Sequence, residues 1–274
     1  MPKTRWQAFS IHLGLCTVLY ILLLYLILFH WYPQPYFAAD GGWQGIRLIT
    51  GVDLVLGPLL TLIVFKPGKP GLRRDLTLIG ILQIVAIVWG TWLVYEQRTA
   101  MVTYAYGSFY TLNPEQLQSA GEKAIQIAKQ AETIPPYGFI RLPENPRERT
   151  DFVLKTVFAG RPLHQLGDRY EILGKSNLSE MLSQGLKLDQ YLSISEQNQR
   201  SIDRFLVRHG GKLEDYAFFP LVGRYEEPLL ALRRSDGTWT GGDAADRVCG
   251  IRVWHGLEPR LGGQRDELAR HTPG

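Results

Sequence analysis

The chain has 274 residues, 45% of them hydrophobic, and it carries a net charge of +4. The hydrophobic residues are concentrated before residue 95. The excess of positive charge lies there as well, because residues 96–274 hold equal numbers of basic and acidic side chains. A basic balance that comes from the flanks of apolar segments gives no support to nucleic-acid binding, which needs a basic face on the soluble part of a protein.

Three apolar segments are long enough to cross a hydrocarbon core of about 30 Å as helices, at about 1.5 Å per residue. We predict membrane spans over residues 9–31, 46–65 and 76–95, which together form a transmembrane domain over residues 9–95. The first span exceeds the usual core of a cleaved signal peptide, and no small-residue cleavage site follows it. We therefore expect it to be retained.

The flanks of these spans predict their orientation. The first span is bracketed by Trp31, Tyr32 and Tyr36, aromatic residues that are typical of a membrane interface. The N-terminal residues 1–8 and the loop Lys66–Asp75 are basic, whereas the loop between the first two spans is not. The positive-inside rule then predicts a cytoplasmic N-terminus, with everything after Tyr95 on the outer side of the membrane.

The second span carries a carboxylate, Asp53, near its middle. A charged group at membrane depth costs about 2.5 kcal/mol or more, so Asp53 should face protein or a polar cavity. Gly57 and Thr61 follow at i+4 and i+8, which gives one stripe of small and polar residues suited to close helix contact. Pro58 lacks an N–H and leaves a carbonyl of the preceding turn without its helical donor. We assign these residues, together with Gln83 of the third span, to a helix-contact site, whether with a partner or within the protein.

Depth along the helices indicates which residues meet Asp53. Gln83 of the third span and Thr17 of the first lie at a similar depth, whereas His12 lies too close to the inner edge. Our hypothesis is a three-helix bundle in which Asp53 is turned toward Gln83 and Thr17. The alternatives are that Asp53 awaits a partner helix or moves a proton, although a proton pathway usually needs a chain of ionisable groups.

The sequence GVDLVLGPLLTLIVF at Gly51–Phe65, together with Arg74-Asp75-Leu76 and Leu82-Gln83, resembles the TfpX/TfpZ family of type IV pilin accessory proteins. The resemblance is most specific over residues 46–95, and it extends to an architecture of three N-terminal spans with an extracytoplasmic tail. It implies an inner-membrane, chaperone-like factor that assists or stabilises a cognate type IV pilin during pilus assembly. It implies no catalytic residues.

Residues 96–261 predict one mixed α+β extracytoplasmic domain, followed by a loose tail over residues 262–274. Met101–Leu112 is typical of a strand interrupted at Gly107, and the sequence from Asn113 to Gln116 is a helix N-cap signal that opens a helix to about Ala131. Further strands are predicted at Phe139–Leu142, Tyr170–Leu173, Tyr216–Val222, Pro228–Arg233, Thr238–Thr240 and Val248–Val253, with a turn at Asp236-Gly237. Further helices are predicted near Asp151–Phe158, Asn177–Gln184 and Ser195–His209.

Patterns for catalysis or cofactor binding are sparse. Cys16 and Cys249 are the only cysteines, and neither a CxxC pair nor a His/Cys spacing for zinc occurs. His12, Cys16 and Tyr20 fall at i, i+4 and i+8, which allows a metal or redox site, but a helix-contact face is the interpretation we favour. We expect no enzymatic activity, no cofactor and no metal.

The predicted partners are a type IV major pilin and the lipid bilayer. An alternative function is a membrane-anchored sensor or ligand-binding module, yet the predicted cytoplasmic segments are too short for an output domain. The sequence does not determine the oligomeric state.

Overall fold

The computed structural model describes residues 2–32, 35–131, 133–158, 166–186, 188, 196–235 and 248–252. The helices of the N-terminal part are α1 (Arg5–Trp31), the short α2 (Tyr36–Ala39), α3 (Gly42–Val64) and α4 (Leu72–Glu96). By length and composition, α1, α3 and α4 are each able to cross a membrane. Each begins about one turn before the predicted span, because helical backbone continues through polar residues that hydropathy does not mark.

The long helices form a bundle in which α3 packs against both α1 and α4. Two π-helical turns interrupt their α-helical geometry, one at the end of α1 over Ile27–Trp31 and one within α3 over Thr50–Leu56. The second ends at Leu56, two residues before Pro58, which has no N–H to donate. The N–H of Gly57 donates to the carbonyl of Val52, five residues back. The proline thus coincides with a change in helical register.

The remaining described residues form a mixed sheet of seven strands in the order β4-β3-β1-β2-β5-β6-β7. The strands are β1 (Met101–Ala105), β2 (Ser108–Leu112), β3 (Tyr137–Ile140), β4 (Tyr170–Ile172), β5 (Tyr216–Val222), β6 (Pro228–Arg233) and β7 (Val248–Arg252). The pairs β1–β3 and β2–β5 are parallel, whereas β1–β2, β3–β4, β5–β6 and β6–β7 are antiparallel. Helices α5 (Pro114–Ala120), α6 (Glu122–Gln130), α7 (Pro146–Phe158), α8 (Lys175–Ser183) and α9 (Glu196–His209) complete this part.

The sequence expectation of three apolar helices followed by a mixed α+β domain is confirmed. The break at Gly107 is a hairpin turn, in which Tyr106 and Gly107 have φ of 50° and 81°. Asn113 caps α5 through the predicted capping box. The single helix predicted to follow is interrupted at Gly121, whose φ of 108° ends α5 before α6 begins. The turn at Asp236-Gly237, the strand Thr238–Thr240 and the tail 262–274 lie outside the described residues.

Both faces of the sheet are covered. Along β1, Met101 and Ala105 pack under α5 and α6, while Val102 and Tyr104 face the opposite cluster. That opposite cluster contains Met181 from α8, and it also contains two residues of α2, Tyr36 and Ala39. The segment between the first two long helices therefore contributes Tyr36 and Ala39 to the core of the sheet domain, whereas its Phe37 packs in the core of the bundle.

Candidate interaction site in the bundle and at its junction with the sheet domain

Polar side chains connect the three long helices in the interior of the bundle. Gln83 of α4 donates from Nε2 to the Sγ of Cys16 on α1 at 3.0 Å and to the backbone carbonyl of Asp53 on α3 at 3.2 Å. His12 lies one turn before Cys16 on α1, and its Nδ1 is 2.6 Å from Thr61 Oγ1 of α3. One amide thus links all three helices at the depth where the carboxylate lies.

Asp53 and Gln83 each keep one oxygen without a donor. Both residues are buried, with Asp53 only 3% exposed, and neither Asp53 Oδ1 nor Gln83 Oε1 has a hydrogen-bond partner among the described residues. A buried acceptor left without a donor costs about 1–3 kcal/mol. These two oxygens would therefore gain from a hydrogen-bond donor, as would Thr91 Oγ1 of α4, which also has no partner among the described residues.

Gly57 brings α3 and α4 into close contact. A Cβ at this position would lie 2.3 Å from Gln83 Oε1, which is far inside van der Waals distance. Pro58 and Thr61 are buried in the same stretch of α3. All five residues assigned to the helix-contact site, Asp53, Gly57, Pro58, Thr61 and Gln83, lie inside the protein's own bundle.

The contact from the first helix differs from the expected one. Thr17 donates to the carbonyl of Leu13 in its own helix at 2.8 Å, and its neighbour Cys16 contacts Gln83 instead. Depth arithmetic gives the level of a residue along a helix but not its direction around the axis, and successive residues point about 100° apart. The depth of His12 predicts that it lies too close to the inner edge to meet Asp53. In the structure, His12 pairs with Thr61.

The junction between bundle and sheet domain is a buried polar site that sequence reasoning missed. Asp40, which follows α2, accepts hydrogen bonds from the hydroxyls of Thr111 at 2.6 Å and Thr99. Burial raises the pKa of Asp40, although these hydrogen bonds and the nearby charge of Arg224 oppose the increase. The carboxylate therefore connects the segment before α3 to the segment after α4 and to β2.

Two further contacts secure α2 in the sheet domain. The hydroxyls of Tyr36 and Tyr137 are hydrogen-bonded to each other, and the N–H of Tyr225 donates to the carbonyl of Ala39 at 2.8 Å. Gly223 permits this approach, since a Cβ there would lie 2.6 Å from the same carbonyl oxygen.

The sequence predicts an interfacial position for Tyr36, but this residue is 1% exposed and lies in the core of the sheet domain. The available sequence signal was the acidic residue Asp40 beside Gly41-Gly42 in a loop otherwise rich in aromatics.

No group of three or more His, Cys, Asp or Glu side chains in the described part of the chain is positioned to hold a metal ion. Cys16 is a free thiol inside the bundle, and Cys249 lies in β7.

These features define a class of protein with three helices of membrane-spanning length joined through a buried linker to a mixed α/β sheet domain. The chain is similar to the fimbrial assembly proteins of serogroup E1 and of serogroup I from Dichelobacter nodosus, each 28% identical over 221 residues. That stretch makes up 78% of this chain and 84% of each relative. The fimbrial assembly protein of serogroups C1 and C2 from the same organism is 36% identical over 107 residues, which are 38% of this chain and 81% of that relative.

The chain belongs to this family of fimbrial assembly proteins. No family model matches it, and no solved structure does.

Proposed function

We propose that this protein is an inner-membrane accessory factor that assists or stabilises a cognate type IV pilin during pilus assembly, as the TfpX/TfpZ resemblance implies. The observation that carries the proposal is the similarity to fimbrial assembly proteins over 84% of their length. The matched stretch of 221 residues is longer than either the helical part or the sheet domain alone, so it includes portions of both.

The charge distribution supports a membrane orientation with the sheet domain in the periplasm. Lys3, Arg5 and the basic loop Lys66–Asp75 lie at the end of the bundle that is remote from the sheet domain. The loop that contains α2 lies at the opposite end and is buried in the sheet domain. By the positive-inside rule, the basic end is cytoplasmic.

This layout matches that of a type IV pilin, which has an apolar helix in the bilayer and a globular head outside. We propose that the bundle contacts the pilin helix while the sheet domain contacts the head. Because α2 connects the bundle to the sheet domain through buried contacts, we expect a fixed distance between the surface of the bundle that contacts the pilin helix and the surface of the sheet domain that contacts the head. Asp53 Oδ1 and Gln83 Oε1 have no hydrogen-bond donor among the described residues. A partner helix that displaced α1 or α4 would donate hydrogen bonds to these oxygens.

Copurification tests the proposal. The tagged protein is expressed with the major pilin of its own host and, separately, with an unrelated pilin, and both are extracted in mild detergent. We expect selective retention of the cognate pilin and loss of pili in a deletion strain. Failure to retain either pilin, with pili still formed in the deletion strain, would refute the proposal.

Substitution of Asp53 separates a partner contact from internal packing. Asp53→Leu removes a buried carboxylate whose Oδ1 has no partner, so we expect the protein level to stay normal while piliation falls. Thr17→Val is the matched control, because the Thr17 hydroxyl bonds only within its own helix. Loss of the Asp53→Leu protein itself would instead assign Asp53 to bundle packing alone.

A further inference from the structure

A cavity of about 430 Å³ lies at the junction, between the ends of α1 and α4 and the underside of the sheet domain. Its walls come from His30 and Trp31 of α1, from residues 98–100 after α4, from α5 and α6, and from the loop 134–136. It is separate from the polar interior of the bundle and from the site around Asp40, except that Thr99 borders both. Binding sites for small molecules commonly have about 300–1,000 Å³ of volume.

The position of the cavity corresponds to the level of lipid headgroups. Trp31 is the last residue of α1, and Arg98 follows the end of α4 by two residues. The rings of Trp31 and Tyr95 pack with their centroids 5.1 Å apart, an aromatic pair of the kind enriched at membrane interfaces. A helix bundle that spans the bilayer therefore brings this cavity next to its outer surface.

The cavity contains a cation with hydrogen-bonding capacity left over. The guanidinium of Arg98 lies 3.6 Å from the ring centroid of Tyr95, and its Nη1 donates to the Tyr95 carbonyl at 2.8 Å. Among the described residues, no carboxylate forms an ion pair with Arg98. A guanidinium oriented by one hydrogen bond and one ring still has donors to offer, and its planar fork matches a phosphate.

The same cavity has an apolar rim. Ile134, in the loop that closes one side, is 81% exposed, and Leu117 of α5 contributes to the wall. A large aliphatic side chain so exposed at the bilayer surface is available to contact lipid acyl chains. A cation beside aliphatic side chains is complementary to a phosphate joined to acyl chains.

We propose that this cavity binds the headgroup of an anionic phospholipid of the periplasmic leaflet. The phosphate lies against Arg98, and the upper acyl region lies between Ile134 and the end of α1. This inference rests on the membrane placement proposed above and is independent of the pilin.

The test measures binding of phosphatidylglycerol to the purified full-length protein by native mass spectrometry after delipidation in detergent. Arg98→Gln should weaken binding by about tenfold or more, since a charge-assisted hydrogen-bond pair to phosphate is lost. Gln118→Trp, which adds bulk at an exposed residue of the cavity wall and leaves Arg98 in place, should weaken binding as well and tests the proposal if the Arg98 variant does not fold.

The matched control is Arg47→Gln. Arg47 is exposed near the N-terminal end of α3, which is the end next to the sheet domain, and it does not line the cavity. Its substitution therefore removes the same charge at a similar depth in the membrane. We expect its phosphatidylglycerol affinity to equal that of the wild type. Equal weakening in both arginine variants would mean general attraction to the surface and would overturn the proposal, as would unchanged binding in Arg98→Gln and Gln118→Trp.

Two further arms identify the ligand. Inorganic phosphate alone should neither bind comparably nor displace the lipid, and comparable binding would overturn the assignment to a lipid. Reconstitution into phosphatidylcholine nanodiscs reports membrane insertion separately, so failure of the placement is distinguishable from failure of the headgroup site.

Discussion

At the scale of single residues, the approach of α3 to α4 depends on the absence of a side chain at Gly57. Since a Cβ there would lie 2.3 Å from Gln83 Oε1, the amide that links the three helices would have to move. The hydrogen bonds of Gln83 inside the bundle therefore depend on the close spacing of α3 and α4 at Gly57.

Gly57→Ala tests this dependence. We expect it to lower the stability of the bundle by about 1–3 kcal/mol, the usual cost of overpacking. Gly80→Ala on α4 is the control, because a Cβ there meets nothing within 4 Å and alanine is the better helix former. Thermal unfolding in detergent should show a lower Tm for Gly57→Ala and an unchanged or higher Tm for Gly80→Ala. Equal Tm values would contradict the close contact.

The burial of Asp40 predicts that the stability of the protein depends on pH. Burial raises its pKa in the folded protein, and such a group contributes stability that is fully present below its unfolded pKa of about 4 and is lost as the pH rises through the folded pKa. The free energy of unfolding of the wild type should therefore fall relative to that of Asp40→Asn as the pH is raised above about 4.

Denaturant titrations across this pH range measure the difference between the two proteins. Asp40→Ala should be less stable by about 1–3 kcal/mol, because the Thr99 and Thr111 hydroxyls lose their acceptor. A wild-type to Asp40→Asn difference that stays constant with pH would show that the carboxyl group does not titrate with folding.

At the scale of elements, α2 is a short helix that packs against the sheet domain through Tyr36 and Ala39 and against the bundle through Phe37. Helices of this length are not stable alone, so its conformation must come from packing and from the hydrogen bond between Tyr225 N and Ala39 O. Gly223 is the residue that lets the two backbones meet.

Gly223→Ala should displace α2 from the sheet domain. Its Cβ would lie 2.6 Å from the Ala39 carbonyl oxygen, a backbone atom that cannot rotate away. We expect faster hydrogen exchange at the Tyr225 amide, measured by mass spectrometry on peptides that contain it. Gly174→Ala, whose nearest neighbour to a Cβ is 4.0 Å away, should leave that exchange unchanged. Unchanged protection in Gly223→Ala would show that α2 is held by other contacts.

At the scale of the whole molecule, the helical part and the sheet domain share a core. Tyr36 and Ala39 pack in the same cluster as Tyr104, Phe109 and Phe219. A domain boundary placed after the third span therefore separates Tyr36 and Ala39 from the core residues that they contact. The chain nevertheless passes from α4 to the sheet at this point.

The sheet domain expressed from residue 97 onward should consequently expose apolar surface. We expect it to bind a hydrophobic dye and to unfold at a lower temperature than the same domain within the full-length protein, because removal of α2 leaves the cluster around Tyr104 uncovered. A monomeric fragment that binds no dye and unfolds cooperatively would contradict this.

Much of the fold was accessible from local sequence. The strands β5 and β6 were predicted with their observed bounds, Tyr216–Val222 and Pro228–Arg233, because alternation and bounding turn residues act over a few positions. The capping box at Asn113 was recognised for the same reason. The break at Gly121 was missed, because an isolated glycine inside a helical pattern is tolerated at a cost of about 1 kcal/mol and does not by itself predict the end of a helix.

The candidate sites divide along the same line. Apolar length, the mid-span carboxylate and the basic flanks are local properties, and the sequence by itself determined the three long helices, the polar stripe from Asp53 to Thr61 and the mixed sheet domain. Only the tertiary structure decided that Cys16 rather than Thr17 contacts Gln83, and that α2 enters the core of the sheet domain. Those outcomes depend on the direction of side chains around a helix axis and on contacts between residues some 60 to 100 positions apart, such as Asp40 with Thr99 and Tyr36 with Tyr137. No short-range pattern records such pairings, because their energy arises only when the whole chain has folded.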